Sequence, residues 1–204
     1  MQTFLTLLFS LFFLGCSVRG ADALAEKFRA IADYRTIRAD FIQTRFLKEL
    51  DMKVAIEGEM ICEKNGRIRW QVKSPFRSIT LIGSRSLEHF DGETGKTVVM
   101  DSGRLPHGID ILRDCLSEWI SGDPDRLSKR FELAEKDECT LRLLPKNAGL
   151  GKLFSAVEIT AGKTFDSIDR IRIEEASGDL LEIRFLNVVK NPPMSEEIWK
   201  MPGK

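Results

Sequence analysis

The stretch "EGEMICEKNGRIRWQVKSPF" (57–76) decides how the chain folds. Drawn out as extended backbone, it puts Met60, Cys62, Ile68 and Trp70 on one side. Glu59, Glu63, Arg67, Arg69 and Lys73 fall on the other. Period-two alternation of this kind marks a half-buried strand pair. A two-residue Asn-Gly turn would set Cys62 opposite Arg69 and mix charge into the apolar side. A three-residue loop, Lys64-Asn65-Gly66, instead sets Met60 against Trp70, Cys62 against Ile68 and Glu63 against Arg67, with Gly66 in the left-handed position. The question is what the apolar side faces: a packed core, or something the protein carries.

The same construction recurs in "DRIRIEEASGDLLEIRFLN" (169–187). There Ile171 and Ile173 should face Ile183 and Leu181, Ala176-Ser177-Gly178 should form the loop, and Arg172 should sit opposite Glu182 on the wet face. Period two begins at "TIRADFIQTRF" (36–46) and returns in runs at 78–82, 86–90, 96–100, 130–135, 139–144 and 155–160. Two segments change to helical spacing. "ADALAEKFRAIADY" (21–34) carries Leu24, Phe28 and Ile31, with Asp22 as candidate N-cap. "GIDILRDCLSEWISGDP" (108–124) carries Ile109, Leu112, Cys115, Leu116 and Trp119, and Gly122 and Pro124 stop it.

With 204 residues the chain is long enough for a core without staples. Composition does not shift after the N-terminus, so residues 21–204 read as a single domain. The balance of 31 basic and 31 acidic residues argues against broad electrostatic binding of nucleic acid. "FLTLLFSLFFLG" (4–15) reads as the apolar part of a secretory signal peptide spanning residues 1–20. Two processing readings stand. Cleavage near Val18–Gly20 or Ala21–Ala23 leaves a soluble exported protein, whereas "FLGC" (13–16) is similar to a lipobox with Cys16 as lipidated N-terminus. Of the other cysteines, Cys115 and Cys139 can pair in an oxidising compartment, or Cys62, Cys115 and Cys139 are all buried thiols.

Catalytic patterns are missing. "GSRS" (83–86) lacks nucleophile-elbow spacing, and "GETGKT" (92–97) has a P-loop ending on too short a loop. His89 and His107 have no motif around them, and the carboxylates of "EHFDGE" (88–93) read as a turn and solvated edge. No Cys or His spacing suits a metal, so neither cofactor nor metal is expected.

Taken in order, Phe41-Ile42-Gln43, the stretch from Gly58 through Trp70 to Pro75, Phe185-Leu186-Asn187, Asn191-Pro192-Pro193, Trp199 and Pro202 resemble the periplasmic outer-membrane lipoprotein carrier proteins, the LolA family. The resemblance spans nearly the whole mature chain. It implies an unclosed antiparallel β-barrel, a half-barrel, with helices covering its concave apolar face. It implies a non-enzymatic monomer in the periplasm that takes acylated lipoproteins, or a related envelope lipid, from an inner-membrane lipoprotein-releasing transporter to an outer-membrane receptor. Val54, Ile56, Met60, Ile68, Trp70, Phe90, Leu112, Leu116 and Trp119 would then line the lipid cavity. Where the family commonly has an Arg that helps hold the lid closed, this chain has Lys64, the candidate for that role. The alternatives are an outer-membrane-anchored receptor of the same fold, which Cys16 would serve, and an exported β-protein or enzyme. Three expectations follow from the carrier reading. The 109–120 helix packs loosely as a cover. Met60→Glu folds but does not bind lipid. Glu59→Lys, on the wet face, changes little.

Overall fold

The computed structural model describes residues 18–202 apart from 65, 84–85 and 102–108, and of the side chains in 18–22 and 109–113 nothing is stated. Residues 1–17 of the signal segment, Cys16 among them, His107 and the side chains of Ile109 and Leu112 therefore lie outside the described residues.

Eleven strands form one antiparallel sheet: β1 (Thr36–Leu47), β2 (Met52–Glu63), β3 (Ile68–Ser74), β4 (Ser78–Ile82), β5 (Ser86–Asp91), β6 (Thr97–Asp101), β7 (Phe131–Asp137), β8 (Thr140–Pro145), β9 (Phe154–Ala161), β10 (Ile168–Glu175) and β11 (Leu180–Lys190). Their order across the sheet is β6-β5-β4-β3-β2-β1-β11-β10-β9-β8-β7. Two meanders are thus joined where β1 meets β11, and the edges β6 and β7 do not pair, so the barrel stays open. Among the described residues there are also α-helices α1 (Val18–Ile31), α2 (Ile109–Ser121), α3 (Pro124–Leu127) and α4 (Ala148–Gly151), and short 3-10 turns at Lys48–Leu50 and Glu196–Trp199. Because α1 begins at Val18, Asp22 lies inside it and is not its N-cap.

Both hairpin registers follow the polarity pattern. Met60 pairs with Trp70 and Cys62 with Ile68. Ile171 pairs with Ile183, Ile173 with Leu181 and Arg172 with Glu182. Gly178 takes a φ of +90°, the left-handed geometry that closes a three-residue loop. The conformation of the first loop turns on Asn65, outside the described residues.

The inner face of the sheet carries the core. Rows run across it in register: Phe185 and Phe41 beside Gly58, then Ile183, Ile171, Ile159 and Leu141 one row on. Helix α1 rests on β7, β8 and α3 through Leu24, Phe28 and Ile31, all buried. Phe165, in the β9–β10 turn, adopts φ +54°, a conformation unfavourable for a bulky residue. Its ring meets Phe28 edge-on at 5.9 Å, so the turn grips α1. Helix α2 drives Trp119 between Phe131 and Phe154, with ring centroids 6.3 and 5.3 Å away. Cys115 and Ile120 are buried beside it, and Arg130 ties Glu118 and Asp114 of α2 at 3.2 and 3.3 Å. The C-terminal half of α2 is therefore core and not the loose cover its amphipathic stripe suggests.

Gly58 shows why the strand must carry glycine there. A Cβ would stand 1.9 Å from the Gln71 carbonyl oxygen and 2.7 Å from the Phe41 ring, which lies across the glycine and stacks on Trp70 at 4.0 Å and 27°. Gly58→Ala is expected to destabilise the fold by about 3 kcal/mol, the upper range for overpacking. Urea unfolding measures it, and an unchanged midpoint would contradict this packing.

Candidate functional site

The helices cover only part of the inner face. Among the described residues, their more extensive contacts with the sheet fall on β7 to β10. At the β1–β2–β11 seam, Ile120 of α2 meets Ile37, Ala39, Met60, Ile168, Phe185 and Val188 around a small gap whose free volume is about 10 Å³. That is room for no more than about one water. Beyond it the same face continues outward without being buried. Val54 is 40% exposed and Val98 is 54% exposed. Ile56, Trp70, Ile82, Leu87 and Met100 are half-buried. Register fixes this face. Met60, Trp70, Thr80, His89 and Val98 form one cross-strand row, and Cys62, Ile68, Ile82, Leu87 and Met100 form the next. Beyond the buried Met60, Cys62 and Ile68, the accessible members of these rows, with Val54 and Ile56 of β2, form a largely apolar trough that runs to the β6 edge and includes Thr80 and His89.

The residues singled out from sequence divide accordingly. Val54, Ile56 and Trp70 lie in the trough, and half-buried Leu116 packs against the core cluster. Met60 and Ile68, each 1% exposed, and Trp119 belong to the packed core. Phe90 is misplaced: it pairs with Ile79, which pairs with Gln71, which pairs with Glu59, so it stands on the outer face. Alternation within "SLEHF" put the wrong parity inward; the inward residue of that strand is His89, whose Nδ1 lies 2.9 Å from the Thr80 hydroxyl. Ile82, Leu87, Val98 and Met100 were missed, although chaining strand to strand from Trp70 would have found them.

The outer face is not simply wet. Glu59 is only 9% exposed and accepts hydrogen bonds from Arg38 at 2.7 Å and Lys73 at 3.4 Å. A lysine there would gather cations around a buried position, so Glu59→Lys is no neutral control. Nearby, Arg67 pairs with Glu63 and Glu196 and lies 4.4 Å from the Trp199 ring centroid, which straps the C-terminal segment to the outer face. The Arg67 contact holds the Glu63 carboxyl below its usual range. Across β7 to β9, burial pushes the Glu158 carboxyl up, but hydrogen bonds from Lys136 and Arg142 outweigh it and the net displacement is downward.

Lys64 meets the chain just past the C-terminus of α1. Its ammonium donates to the Ala32 carbonyl at 2.5 Å and lies 5.8 Å from the Tyr34 ring centroid, and Lys190 donates to the Ala30 carbonyl at 3.4 Å. Cations at a helix C-terminus satisfy its free carbonyls and complement its dipole. Lys64→Met is expected to cost about 1 kcal/mol and to raise amide exchange in the last turn of α1. Unaltered exchange there would mean the tie is idle. Cys62, Cys115 and Cys139 are free thiols, so the Cys115–Cys139 pairing is not formed, and Cys139 is half-buried. Burial pushes the Cys62 thiol up to about 12, and that of Cys115 likewise, which leaves both unreactive.

An open antiparallel sheet with helices over part of its inner face, and an apolar strip left beside them, defines a half-barrel of the lipoprotein-carrier type. Residues 32–202 match the family described as outer membrane lipoprotein carrier protein LolA. The chain belongs to that family. It is 20% identical over 185 residues to an outer-membrane lipoprotein carrier protein of Legionella pneumophila (strain Corby), covering 90% of this chain and 86% of that one. It is 23% identical over 177 residues to the protein of the same description in Chromohalobacter salexigens, covering 84% of this chain and 77% of that one. A solved structure of a DUF1329 family protein from Desulfovibrio piger shares the fold with TM-score 0.52 and 10% identity, over 89% of this chain and 96% of that one.

Proposed function

We propose that the protein is a periplasmic carrier that holds the acyl chains of lipoproteins in the trough and moves them toward the outer membrane without chemical turnover. Residues 1–20 act as the export signal and 21–204 as the carrier domain. The inner-membrane lipoprotein-releasing transporter is the donor and an outer-membrane receptor the acceptor. The observation that supports this is the apolar strip from Val54 and Ile56 through Trp70 to Val98, which continues the core's own face but remains accessible. Each buried CH₂ of an acyl chain gains about 0.8 kcal/mol, so a chain leaves water readily for such a surface. Because the strip is open along one side, the cargo need not cross the packed core to enter or leave.

Binding of a diacylated lipopeptide by the purified mature chain tests this. Affinity is expected to rise with acyl length and to carry a negative heat-capacity change. Affinity independent of chain length would overturn the reading, and reproducible hydrolytic turnover that copurifies with the protein would favour an enzyme.

A further inference from the structure

A carrier of amphiphiles must house a polar head as well as chains, and the trough ends in a place for one. Between the β3–β4 turn and the β5–β6 turn lies an open cleft of about 190 Å³, lined by Phe76, Arg77, Ser78, His89, Asp91 and Glu93. Ser78, His89 and Asp91 belong to the inner face by register. Ser78 pairs with Val72 and Asp91, and His89 stands in the row between Thr80 and Val98. The inner wall of the cleft is thus the trough's own surface turned polar, with Trp70 two strands from His89 in the same row.

We propose that this cleft seats the polar head of the cargo and selects the amide groups of an acylated peptide over the phosphodiester of a phospholipid. The inference rests on the carrier reading. The cleft offers two carboxylates that only accept, a hydroxyl and an imidazole that can each donate or accept, and one guanidinium that only donates. Asp91 Oδ1 accepts the backbone N–H groups of Glu93 and Thr94 at 2.8 and 3.1 Å, which fixes the turn and keeps the carboxyl ionised. Among the described residues the Glu93 carboxylate and the Arg77 guanidinium have no ion-pair partner, so both are available to a ligand. The N–H groups of a peptide donate to these acceptors and its carbonyls accept from Arg77. A phosphodiester offers acceptors alone and would bring its charge beside Asp91 and Glu93, where like charges repel.

The test compares a dipalmitoyl lipopeptide with dipalmitoyl phosphatidylglycerol on the full mature chain, so that the acyl chains are the same. The wild type is expected to prefer the lipopeptide by about tenfold. Glu93→Lys should narrow the preference about threefold by strengthening phosphatidylglycerol binding, and Arg77→Glu should widen it. Both side chains are exposed, and circular dichroism checks that the variants fold. Equal wild-type affinities, or a ratio unmoved by both variants, overturn the head-group assignment and leave the carrier reading standing. If neither amphiphile binds, both fail.

Discussion

Met60→Glu is expected to remove about 5 kcal/mol of stability and leave little folded protein. Met60 is 1% exposed and sits at the seam of β1, β2 and α2. Losing its packing costs about 2 to 5 kcal/mol by the usual large-to-small scale. The new carboxyl then finds Ile37, Ala39, Ile120, Ile168, Phe185 and Val188 around it and a free volume of about 10 Å³. That void cannot hydrate a charge, and none of these side chains offers a hydrogen bond. Against a domain stability of about 5–15 kcal/mol the loss is decisive. Chemical denaturation and solubility measure it. A Met60→Glu protein with a near-normal midpoint would show that water reaches this position and that the helix-covered region is a cavity after all.

The double change Val54→Glu and Val98→Glu is expected to do the opposite: keep the fold and abolish loading. Val54 is 40% exposed and Val98 54% exposed, so each new carboxylate stays in water in the empty protein. Surface changes of this kind usually move stability by about 0.5 kcal/mol or less. With an acyl chain in the trough the same carboxylates must be desolvated against hydrocarbon, which costs far more than the lost apolar contact. Affinity for a diacylated lipopeptide should fall about a hundredfold, roughly 2.8 kcal/mol. Unchanged affinity would remove the lower half of β2 and the β6 edge from the binding surface.

The contrast between these variants shows what was legible in the sequence. The registers of the two hairpins were fixed by parity alone, because a one-residue slip would have put Arg69 opposite Cys62. Helix spacing located α1 and α2. Alternation says which side of a strand is apolar, but not what covers that side. Met60 and Trp70 are direct partners on one face, yet α2 closes over the first and leaves the second half-open. That difference is set by where the helices land on the sheet, a long-range fact with no local signature. The face of β5 was misread for a related reason: in "SLEHF" both faces carry apolar residues, Leu87 and Phe90, so parity within the strand is ambiguous and only the chain of partners from Trp70 resolves it. Likewise a glutamate next to Met60 reads as solvent-facing until Arg38 and Lys73 are found closing over it.

Photo-crosslinking tests the central claim most directly. A lipopeptide bearing a diazirine near the middle of an acyl chain is loaded onto the mature protein, irradiated, and the adducts are mapped by peptide mass spectrometry. Adducts are expected on Val54, Ile56, Trp70, Ile82, Leu87 and Val98, the residues of the open trough, with Ile159 and Leu141 under the helices unlabelled. Labelling concentrated on Glu59, Phe90 or Arg172 of the outer face, or spread evenly over both faces, would contradict the assignment of the trough as the lipid-carrying surface.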